Sequence, residues 1–402
     1  MAVSARHDLS SGWTIIVASI VIVGFGVGAL FSLAVFLKPM QDSMGWSRAA
    51  ISAVALWMWV AYGIGSLMWG VLAERWGARR VVLAGGFLLG LGLIASSRMT
   101  ALWQLYAAFG GVVGVAAGAF YAPLTTTATR WFTTNRGLAV ALVSAGTGLG
   151  TFVVAPLTRW LISSYDWRMA MLILGDLVWL VIIPLGLVVR EAAGEAARGA
   201  GPDVPLAEIF RSPQFWLIAL THFTCCIAHA GPIFHMVTHA IDQGVPTMTA
   251  ATILGLSGLA SLMGRVISGI AADRWGSKPV LIAMLGLQAP AICLYLFTSS
   301  PAGFYALALL FGMSYGGVMP MYALLTREYF GARAMGTAYG AIFMLQAIGM
   351  GLGAYAGGWI YDDLGTYAWL FGSATAAAAV AILFALPLRS SGAVTVRARA
   401  AV

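Results

Sequence analysis

The chain alternates long apolar runs with short polar connections along its whole length. Each run has about 20 residues, enough to cross a bilayer core about 30 Å thick as a helix. In lipid, a helix satisfies its own backbone hydrogen bonds, so repeated runs of this length predict a helical membrane bundle. We expect twelve spans, at residues 12–37, 50–71, 81–98, 103–128, 138–162, 169–189, 214–240, 249–271, 279–298, 302–326, 336–360 and 367–388.

Composition agrees with this pattern. The chain has 402 residues, of which 60% are hydrophobic and 9% are charged, whereas a soluble domain carries about 25% charged residues. The 49 glycines also fit, because small residues let membrane helices approach closely. The opening MAVSARHDLSSG has no small-residue cleavage site, and the first run is too long for a signal peptide. We therefore expect the first run to be a retained helix.

The basic residues predict the orientation. With twelve spans, both termini and the even-to-odd connections share one face, and sixteen of the 22 lysines and arginines fall there. Five fall on the opposite face, which leaves Arg265 inside a span. Positive residues favour the cytoplasmic side, so we expect both termini in the cytoplasm and the chain in the inner or plasma membrane. The net charge of +8 follows from this topology, and no basic patch of a nucleic-acid-binding domain is visible.

No metal or cofactor site is expected. The three cysteines, Cys225, Cys226 and Cys293, fall in apolar runs without metal-ligand spacing. The histidines of the seventh run are not joined by a carboxylate or cysteine on one face; they are His222, His229, His235 and His239. The glycines of SAGTGLG (144–150) lie inside a span, so they indicate helix packing rather than a phosphate-binding loop.

The sequence contains an internal duplication. GVLAERWGARR (70–80) follows the second run and GIAADRWGSKP (269–279) follows the eighth. ATRWFTTNRGLA (128–139) and TREYFGARAMGTA (326–338) follow the fourth and tenth runs, and each precedes a glycine-rich run. Both matches are offset by six runs, which predicts two six-helix bundles. We expect these at 1–189 and 214–388, joined by a polar cytoplasmic linker at 190–213 and followed by a tail at 389–402.

These repeated stretches resemble the signature of the major facilitator superfamily between helices two and three. The matching residues are Gly70, Glu74, Arg75, Gly77, Arg79 and Arg80 in the first half and Gly269, Asp273, Arg274, Gly276 and Lys278 in the second. The resemblance implies the major facilitator fold, with a substrate site between the halves near the midplane. An acidic residue and nearby arginines could form charge-assisted bonds that gate this face. The alternative is a positive-inside anchor without a gating role.

The resemblance extends to one branch of the superfamily. Gly12-Trp13, Val35-Phe36 and Gly45-Trp46-Ser47-Arg48 resemble the frame of monocarboxylate transporters and of oxalate:formate antiporters. RWFTTNRGLA with its following glycines is also similar to these relatives. The match covers essentially the whole chain and implies a carrier of small organic anions. It does not identify the anion.

Arg265 is the principal candidate for binding an anion. A charge at membrane depth costs roughly 2.5–3.5 kcal/mol on the insertion scale. Arg265 lies eight residues before Asp273, about 12 Å along the helix, which is far for snorkelling. In the family it resembles, an arginine at this place binds the substrate carboxylate, which suits its planar fork of donors. The alternative is an ion pair inside the bundle, for instance with Asp176.

Other residues are candidates to complete the site. The resemblance implies that Tyr121, Tyr315 and His235 line the cavity, with Phe31 as an apolar wall. Ser261, one helical turn before Arg265, stands where some relatives carry a proton-accepting aspartate, and the eleventh run offers only Gln346 in place of a second cation. For proton coupling, the candidates are His235, Asp176 and Arg265, since histidines titrate near neutrality and intramembrane carboxylates are often functional. Packing or hydrogen bonding is the alternative for each.

Together these features predict a monomeric carrier of a small monocarboxylate such as lactate or pyruvate, coupled to protons. One buried cation favours a monoanion, because a second carboxylate would lack a partner. The partners we expect are the anion, the proton and the lipid bilayer, without nucleic acid. An anion exchanger is the alternative within transport, and a transporter-like receptor that does not translocate is the alternative from another class. No nucleophile–base set is present, so we do not expect an enzyme.

Overall fold

A computed structural model describes residues 2–132, 136–190 and 206–388, without the side chains of residues 2–11, Glu74, Thr129, 136–138, Leu206 and 332–337. These ranges form helices and connections without a strand, and twelve of the helices are long and apolar enough to cross a membrane. They are α1 (Gly12–Met44), α2 (Arg48–Ala73), α3 (Ala78–Ser97), α4 (Leu102–Ala128), α5 (Ala139–Ser164), α6 (Trp167–Val188), α7 (Pro213–Asp242), α8 (Thr247–Trp275), α9 (Ser277–Phe297), α10 (Pro301–Gly331), α11 (Ala338–Leu364) and α12 (Ala368–Ala385). The prediction of twelve spans is confirmed.

Side-chain oxygens begin several of these helices. The hydroxyl of Ser47 accepts a hydrogen bond from the Ala50 N–H at 3.1 Å at the start of α2. The Asp166 carboxylate accepts from the Met169 N–H at 2.8 Å at the start of α6. Such caps satisfy N–H groups that have no partner inside the helix.

Glycines end α2 and α8 at equivalent places. Gly77 has a φ of 84° and Gly276 a φ of 87°, a backbone region that favours glycine because it has no Cβ. The chain turns there and starts the next helix, Ala78–Ser97 in the first half and Ser277–Leu294 in the second. The repeated motif therefore codes for the same tight turn twice.

Two spans depart from regular helix. The fourth contains a π-helical segment, Tyr106–Val113, between the short helices Leu102–Leu105 and Gly114–Ala117. The tenth and eleventh belong to one run, Pro301–Leu364, which is interrupted at Gly331 by a φ of 76°. A short helix, Leu206–Arg211, precedes α7.

The two halves repeat the same packing. In the first half, α1 packs on α5 and α3 on α6; in the second half, α7 packs on α11 and α9 on α12. Across the halves, α5 meets α8 and α2 meets α11. These two crossing contacts are where a substrate site between the halves would lie.

Two glycine triads explain how these contacts are built. In α5, a Cβ on Gly146 or Gly150 would fall 2.4 Å from the Ile20 carbonyl oxygen or 2.0 Å from that of Gly24, both in α1. A Cβ on Gly148, between them, would instead fall 2.4 Å from the carbonyl oxygen of Gly258 in α8. The outer two glycines of the triad therefore hold the half together, and the middle glycine faces the other half.

The triad of α11 repeats this division. A Cβ on Gly349 or Gly353 would fall 2.6 Å or 2.4 Å from carbonyl oxygens of α7, in the same half. A Cβ on Gly351 would fall 2.7 Å from Leu56 Cδ1 in α2, in the other half. The duplication read from the sequence is thus a duplication of helix contacts.

Candidate substrate site between the halves

Arg265 lies at the contact between α8 and α5. Its Nη1 donates to the side-chain oxygen of Ser144 at 2.5 Å and to the Ser144 carbonyl at 3.1 Å. Its Nε is buried and has no hydrogen-bond partner. Among the described side chains, no carboxylate lies within ion-pair distance of it. The guanidinium therefore bridges the two halves with part of its hydrogen-bonding capacity unused.

Tyr315 and Ser261 lie beside this arginine. The Tyr315 hydroxyl approaches Ser261 and interacts electrostatically with Arg265. Ser261 donates to the Gly258 carbonyl at 2.8 Å, one turn before Arg265 on α8. The ring of His229 packs 5.5 Å from that of Tyr315, between centroids. Three of the predicted residues are thus together in the second half.

Tyr339 connects this group to the first half. It interacts electrostatically with Arg265 and Cys226 of its own half and with Tyr121 and Tyr62 of the other. Tyr121 is half-buried in α4 and also lies close enough to Tyr62 to interact with it. Tyr339 therefore connects Arg265 with tyrosines of the other half, and the predicted Tyr121 is among them.

Gln346 is buried on α11 near the same group. It interacts with Cys226, and its side-chain oxygen is buried without a hydrogen-bond partner. An unmet acceptor of this kind costs about 1–3 kcal/mol unless water or a ligand satisfies it. Gln346 is therefore a polar group that a bound molecule could complete.

Phe31 belongs to a row of aromatic rings that spans both halves. Its ring lies 6.0 Å from Trp59 and 5.8 Å from Phe234 of α7, between centroids. The row continues from Trp59 to Tyr62 at 5.3 Å, from Tyr62 to Phe343 at 5.8 Å, and from Phe343 to Tyr339 at 6.3 Å. The row therefore connects Phe31 with Tyr339 of the polar group, and the role of Phe31 as an apolar wall of the site stays a prediction.

His235 is not part of this group. It is fully buried in α7, where one ring nitrogen, Nε2, lies 2.8 Å from the Ala354 carbonyl and the other, Nδ1, lies 3.1 Å from the Tyr367 hydroxyl. Its contacts with Ala354 and Tyr367 therefore place His235 towards the face opposite the termini. Asp176, the other candidate for proton coupling, is exposed on the outer surface of α6, apart from Arg265.

Arg48 is the centre of a polar cluster at the face opposite the termini. Its guanidinium donates to both oxygens of Asp242 in α7, at 2.6 and 3.0 Å, and to the Tyr367 hydroxyl at 2.8 Å. It also donates to Gln41 at 3.0 Å and lies 3.6 Å from the centre of the Tyr361 ring. The Arg48 side chain is only 3% exposed, so the cluster is a buried link between the halves.

Asp362 strengthens the same link. Its carboxylate accepts hydrogen bonds from the N–H groups of Arg48 at 3.1 Å and Ala49 at 2.6 Å. A carboxylate at the positive end of a helix is favourable, and here it comes from α11 of the other half to the start of α2. Close by, a Cβ on Gly358 would fall 2.4 Å from the Ser52 hydroxyl. The halves therefore meet tightly at this face.

The same helix pair is looser towards the face that carries the termini. A Cβ on Gly340, near the start of α11, would lie 3.8 Å from its nearest neighbour, Leu67 of α2. This is ordinary van der Waals contact, in contrast to the 2.4 Å at Gly358. The structure is thus closed between α2 and α11 at the face opposite the termini and relaxes towards the other.

The repeated charged motif forms hydrogen bonds within each half. Arg79 donates to the Val189 carbonyl at 2.8 Å, and Lys278 donates to the Leu386 carbonyl at 2.8 Å. Both carbonyls lie at the end of the last helix of their half, where helix carbonyls have no internal partner. The remaining charged members that the structure describes are exposed and form no ion pair with described residues: Arg75, Arg80, Asp273 and Arg274. Gly70 is half-buried. The side chain of Glu74 lies outside the described residues.

Sequence reasoning missed Tyr62 and Tyr339, and it treated Arg48 only as a basic residue of the outer face. A signal for the tyrosines was present, because Tyr62, Tyr315 and Tyr339 are each followed by glycine, which lets a helix approach its neighbour. Among the described residues, no group of three His, Cys, Asp or Glu side chains could hold a metal ion. The group around Arg265 can therefore bind an anion through one cation, phenol hydroxyls and an apolar wall.

Comparison with known proteins places this geometry in a family. A family model described as Major Facilitator Superfamily matches residues 16–354 and, separately, 269–401. Monocarboxylate transporter 11 of Mus musculus is 30% identical over 373 residues, which cover 89% of this chain and 82% of that protein. Monocarboxylate transporter 13 of Bos taurus is 28% identical over 361 residues, which cover 89% and 84%. Monocarboxylate transporter 4 of Rattus norvegicus is 27% identical over 375 residues, which cover 90% and 79%.

Solved structures share the fold. The nucleoside transporter NupG, as a variant, superposes with a TM-score of 0.73 at 13% identity, over 94% of this chain and 99% of that one. A bacterial homolog of the human lysosomal transporter Spinster, inward-facing and unoccupied, superposes with a TM-score of 0.71 at 15% identity, over 94% and 95%. At these identities the likeness shows the fold alone.

Proposed function

The chain belongs to the Major Facilitator Superfamily, and on that premise we propose that it carries small monocarboxylates, such as lactate or pyruvate, together with protons by alternating access. That it is a membrane transporter and not an enzyme follows from its family and relatives. The substrate and the coupling are the proposal. The observation that carries it is Arg265, a cation at the contact between the halves without a carboxylate partner among the described residues.

The chemistry of Arg265 suits a carboxylate. A guanidinium offers five N–H donors in a planar fork that matches two carboxylate oxygens, and it keeps its charge. In this structure Ser144 accepts from one nitrogen, while the buried Nε has no partner. A carboxylate that accepts from Nε and a neighbouring nitrogen would satisfy the fork and neutralise its charge. The Ser144 bond would then be exchanged for substrate, which links binding to the contact between the halves.

The surrounding residues favour one carboxylate over two. We propose that the hydroxyls of Tyr121 and Tyr315 hold the substrate, with Ser261 and Gln346 as further polar contacts and Phe31 as the wall for its apolar part. Arg265 is the one charged side chain in this group. Burying a second carboxylate without a partner would cost several kcal/mol. The site is therefore matched to a monoanion with a small apolar tail.

Proton coupling is consistent with this charge balance. A monocarboxylate and a proton together carry no net charge, so their binding and release leave the net charge of the carrier unchanged. Arg265 can therefore keep its charge throughout, including in the empty carrier. Of the titratable candidates in the spans, we propose His235 for the proton, since Asp176 lies on the exposed surface of α6. We also propose that the termini face the cytoplasm, as the distribution of basic residues indicates.

Uptake of radiolabelled lactate into proteoliposomes tests the proposal, with and without an inward proton gradient. We expect gradient-driven uptake by the unmodified chain, at least tenfold less uptake by Arg265→Ala, and a raised KM for Arg265→Lys, which keeps the charge but loses the fork. Arg327→Ala is the matched control, because it removes a cation at an exposed end of α10.

The same assay separates the alternatives. Exchange of internal for external lactate without net gradient-driven uptake would make the chain an anion exchanger. Saturable binding without either flux would make it a receptor. Undiminished uptake by Arg265→Ala would remove Arg265 as the anion site, and no uptake of lactate or pyruvate by any form would overturn the proposed substrate class.

A further inference from the structure

The hydrogen-bonding pattern at the closed face suits a neutral His235. The Ala354 carbonyl can only accept, so Nε2 of His235 donates to it across 2.8 Å. In a neutral ring, Nδ1 is then an acceptor, and the Tyr367 hydroxyl at 3.1 Å donates to it. With His235 neutral, every contact in this chain of bonds is satisfied: Nε2 donates to Ala354, and Tyr367 donates to Nδ1.

Tyr367 connects His235 to Arg48. Its oxygen accepts from the Arg48 guanidinium at 2.8 Å, and with His235 neutral its hydrogen is directed to Nδ1. Burial raises the pKa of the Tyr367 phenol above its ordinary value, so the hydroxyl keeps its hydrogen. A continuous chain thus runs from Ala354 of α11 through His235 and Tyr367 to Arg48, whose guanidinium is held by Asp242.

We propose that His235 is a proton-binding site that controls this face: a proton added at Nδ1 breaks the chain between His235, Tyr367 and Arg48 and releases the two halves from each other. The inference rests on the proposed function, because it supplies the step by which a proton opens the carrier to the side from which it arrives.

Protonation would disrupt the chain in two ways. The new N–H at Nδ1 would point at the Tyr367 hydroxyl, whose hydrogen would have to turn away and whose oxygen already accepts from Arg48. It would also add a positive charge one residue away from the Arg48 guanidinium in this chain of bonds, and both nearby carboxylates are engaged. Asp242 holds the guanidinium, and Asp362 holds the N–H groups at the start of α2.

Among the described side chains, the charged and titratable groups near His235 are few. Around His235, α2 contributes Arg48, α7 contributes His239 and Asp242, α11 contributes Tyr361 and Asp362, and Tyr367 precedes α12. On α1, Lys38 and Asp42 pair with each other at 2.5 Å near the surface. The ring also has no free space to move, because a Cβ on Gly357 would fall 2.3 Å from its Cδ2.

Spin-label distances across this face test the inference without substrate. Asp42→Cys at the end of α1 and Ser299→Cys after α9 report on the two halves, in a chain whose Cys225, Cys226 and Cys293 are replaced by serine. Distances would be measured by double electron–electron resonance at pH 7.5 and pH 5.5. We expect a single short distance at pH 7.5 and a longer population at pH 5.5, with the closed fraction reduced roughly tenfold, as for the loss of one hydrogen bond to a charged group.

Three variants decide which residue responds. His235→Gln, which cannot take up a proton, should stay closed at both pH values. Tyr367→Phe, which breaks the chain, should have a smaller closed fraction at pH 7.5 and no pH response. His239→Gln is the matched control, because this neighbouring histidine contacts the Tyr367 ring edge-on at 5.7 Å and is not in the chain; it should respond like the unmodified chain.

The outcomes are distinct from those of the transport assay. An unmodified chain that shows one distance at both pH values, or a His235→Gln variant that opens as much as the unmodified chain, would overturn the inference. A chain that opens on acidification but transports no lactate would uphold the proton site and contradict the proposed substrate. Lactate uptake with no proton-dependent opening would uphold the proposed substrate and contradict the proton site at His235.

Discussion

Gly148 gives the most direct test of how the two halves meet. A methyl group on this residue would fall 2.4 Å from the Gly258 carbonyl, 3.0 Å from the Ser261 hydroxyl and 3.2 Å from Leu262 Cβ, all in α8. Ordinary contact begins near 3.4 Å, so α5 and α8 would have to separate by about 1 Å. Overpacking of this kind costs about 1–3 kcal/mol.

This cost should fall on one conformation only. If α5 and α8 part when the carrier turns over, Gly148→Ala destabilises the present conformation and leaves the other unchanged. At about 1.4 kcal/mol for each factor of ten, the equilibrium should shift away from the present conformation roughly 5- to 150-fold. The spin-label pair at residues 42 and 299 would measure that population.

Gly146→Ala is a matched control for the size of the clash. Its methyl group would fall at the same distance, 2.4 Å, from the Ile20 carbonyl, but Ile20 belongs to the same half. The cost should then be present in every conformation and appear as a lower Tm without a population shift. If the two variants changed the population equally, the assignment of Gly148 to the moving contact would be wrong.

Further predictions concern single contacts. Tyr339→Phe should weaken lactate affinity roughly 2- to 12-fold, the equivalent of one hydrogen bond of about 0.5–1.5 kcal/mol, when KM for uptake is measured. Ser47→Ala should lower the free energy of unfolding by about 1 kcal/mol through loss of a helix cap, whereas Asp362→Ala should instead shift the spin-label population towards the open form, because its carboxylate comes from the other half. Arg79→Ala and Lys278→Ala should each lower the Tm, by similar amounts, with no change in population, since their bonds stay within one half; a cross-half role would show as a population shift.

Much of the fold could be predicted because each span is a nearly uninterrupted apolar run. The largest differences occur at span ends. The first run was expected to end at residue 37, but α1 continues through Lys38 and Gln41 to Met44. Polar residues beyond the apolar run do not end a helix when, like Lys38 and Asp42, they pair one turn apart on its surface. The chain turns only at Gly45, whose φ is 68°.

The candidate site was predicted in part, for a reason that lies in helix geometry. A buried arginine is conspicuous in an apolar run, so Arg265 could be found from sequence. The face of α6 or α7 that points inwards is set by the helices packed around it, and the sequence does not show how these helices are arranged. The exposure of Asp176 and the contact of His235 with Tyr367 could therefore not be predicted. Arg48 was overlooked because its partner, Asp242, lies 194 positions away.

That separation has a consequence for how the protein is made. Synthesis proceeds from the N-terminus, and domains generally fold as units in that order. The first half can assemble its helices while Asp242 is still untranslated, and during that time Arg48 has only Gln41 of its own half among its hydrogen-bond partners. We therefore expect the closed face to form last, when the second half docks on the first. A ribosome-stalled or truncated first half should therefore have folded helices, with Arg48 unpaired by Asp242 and Tyr367 at the face opposite the termini.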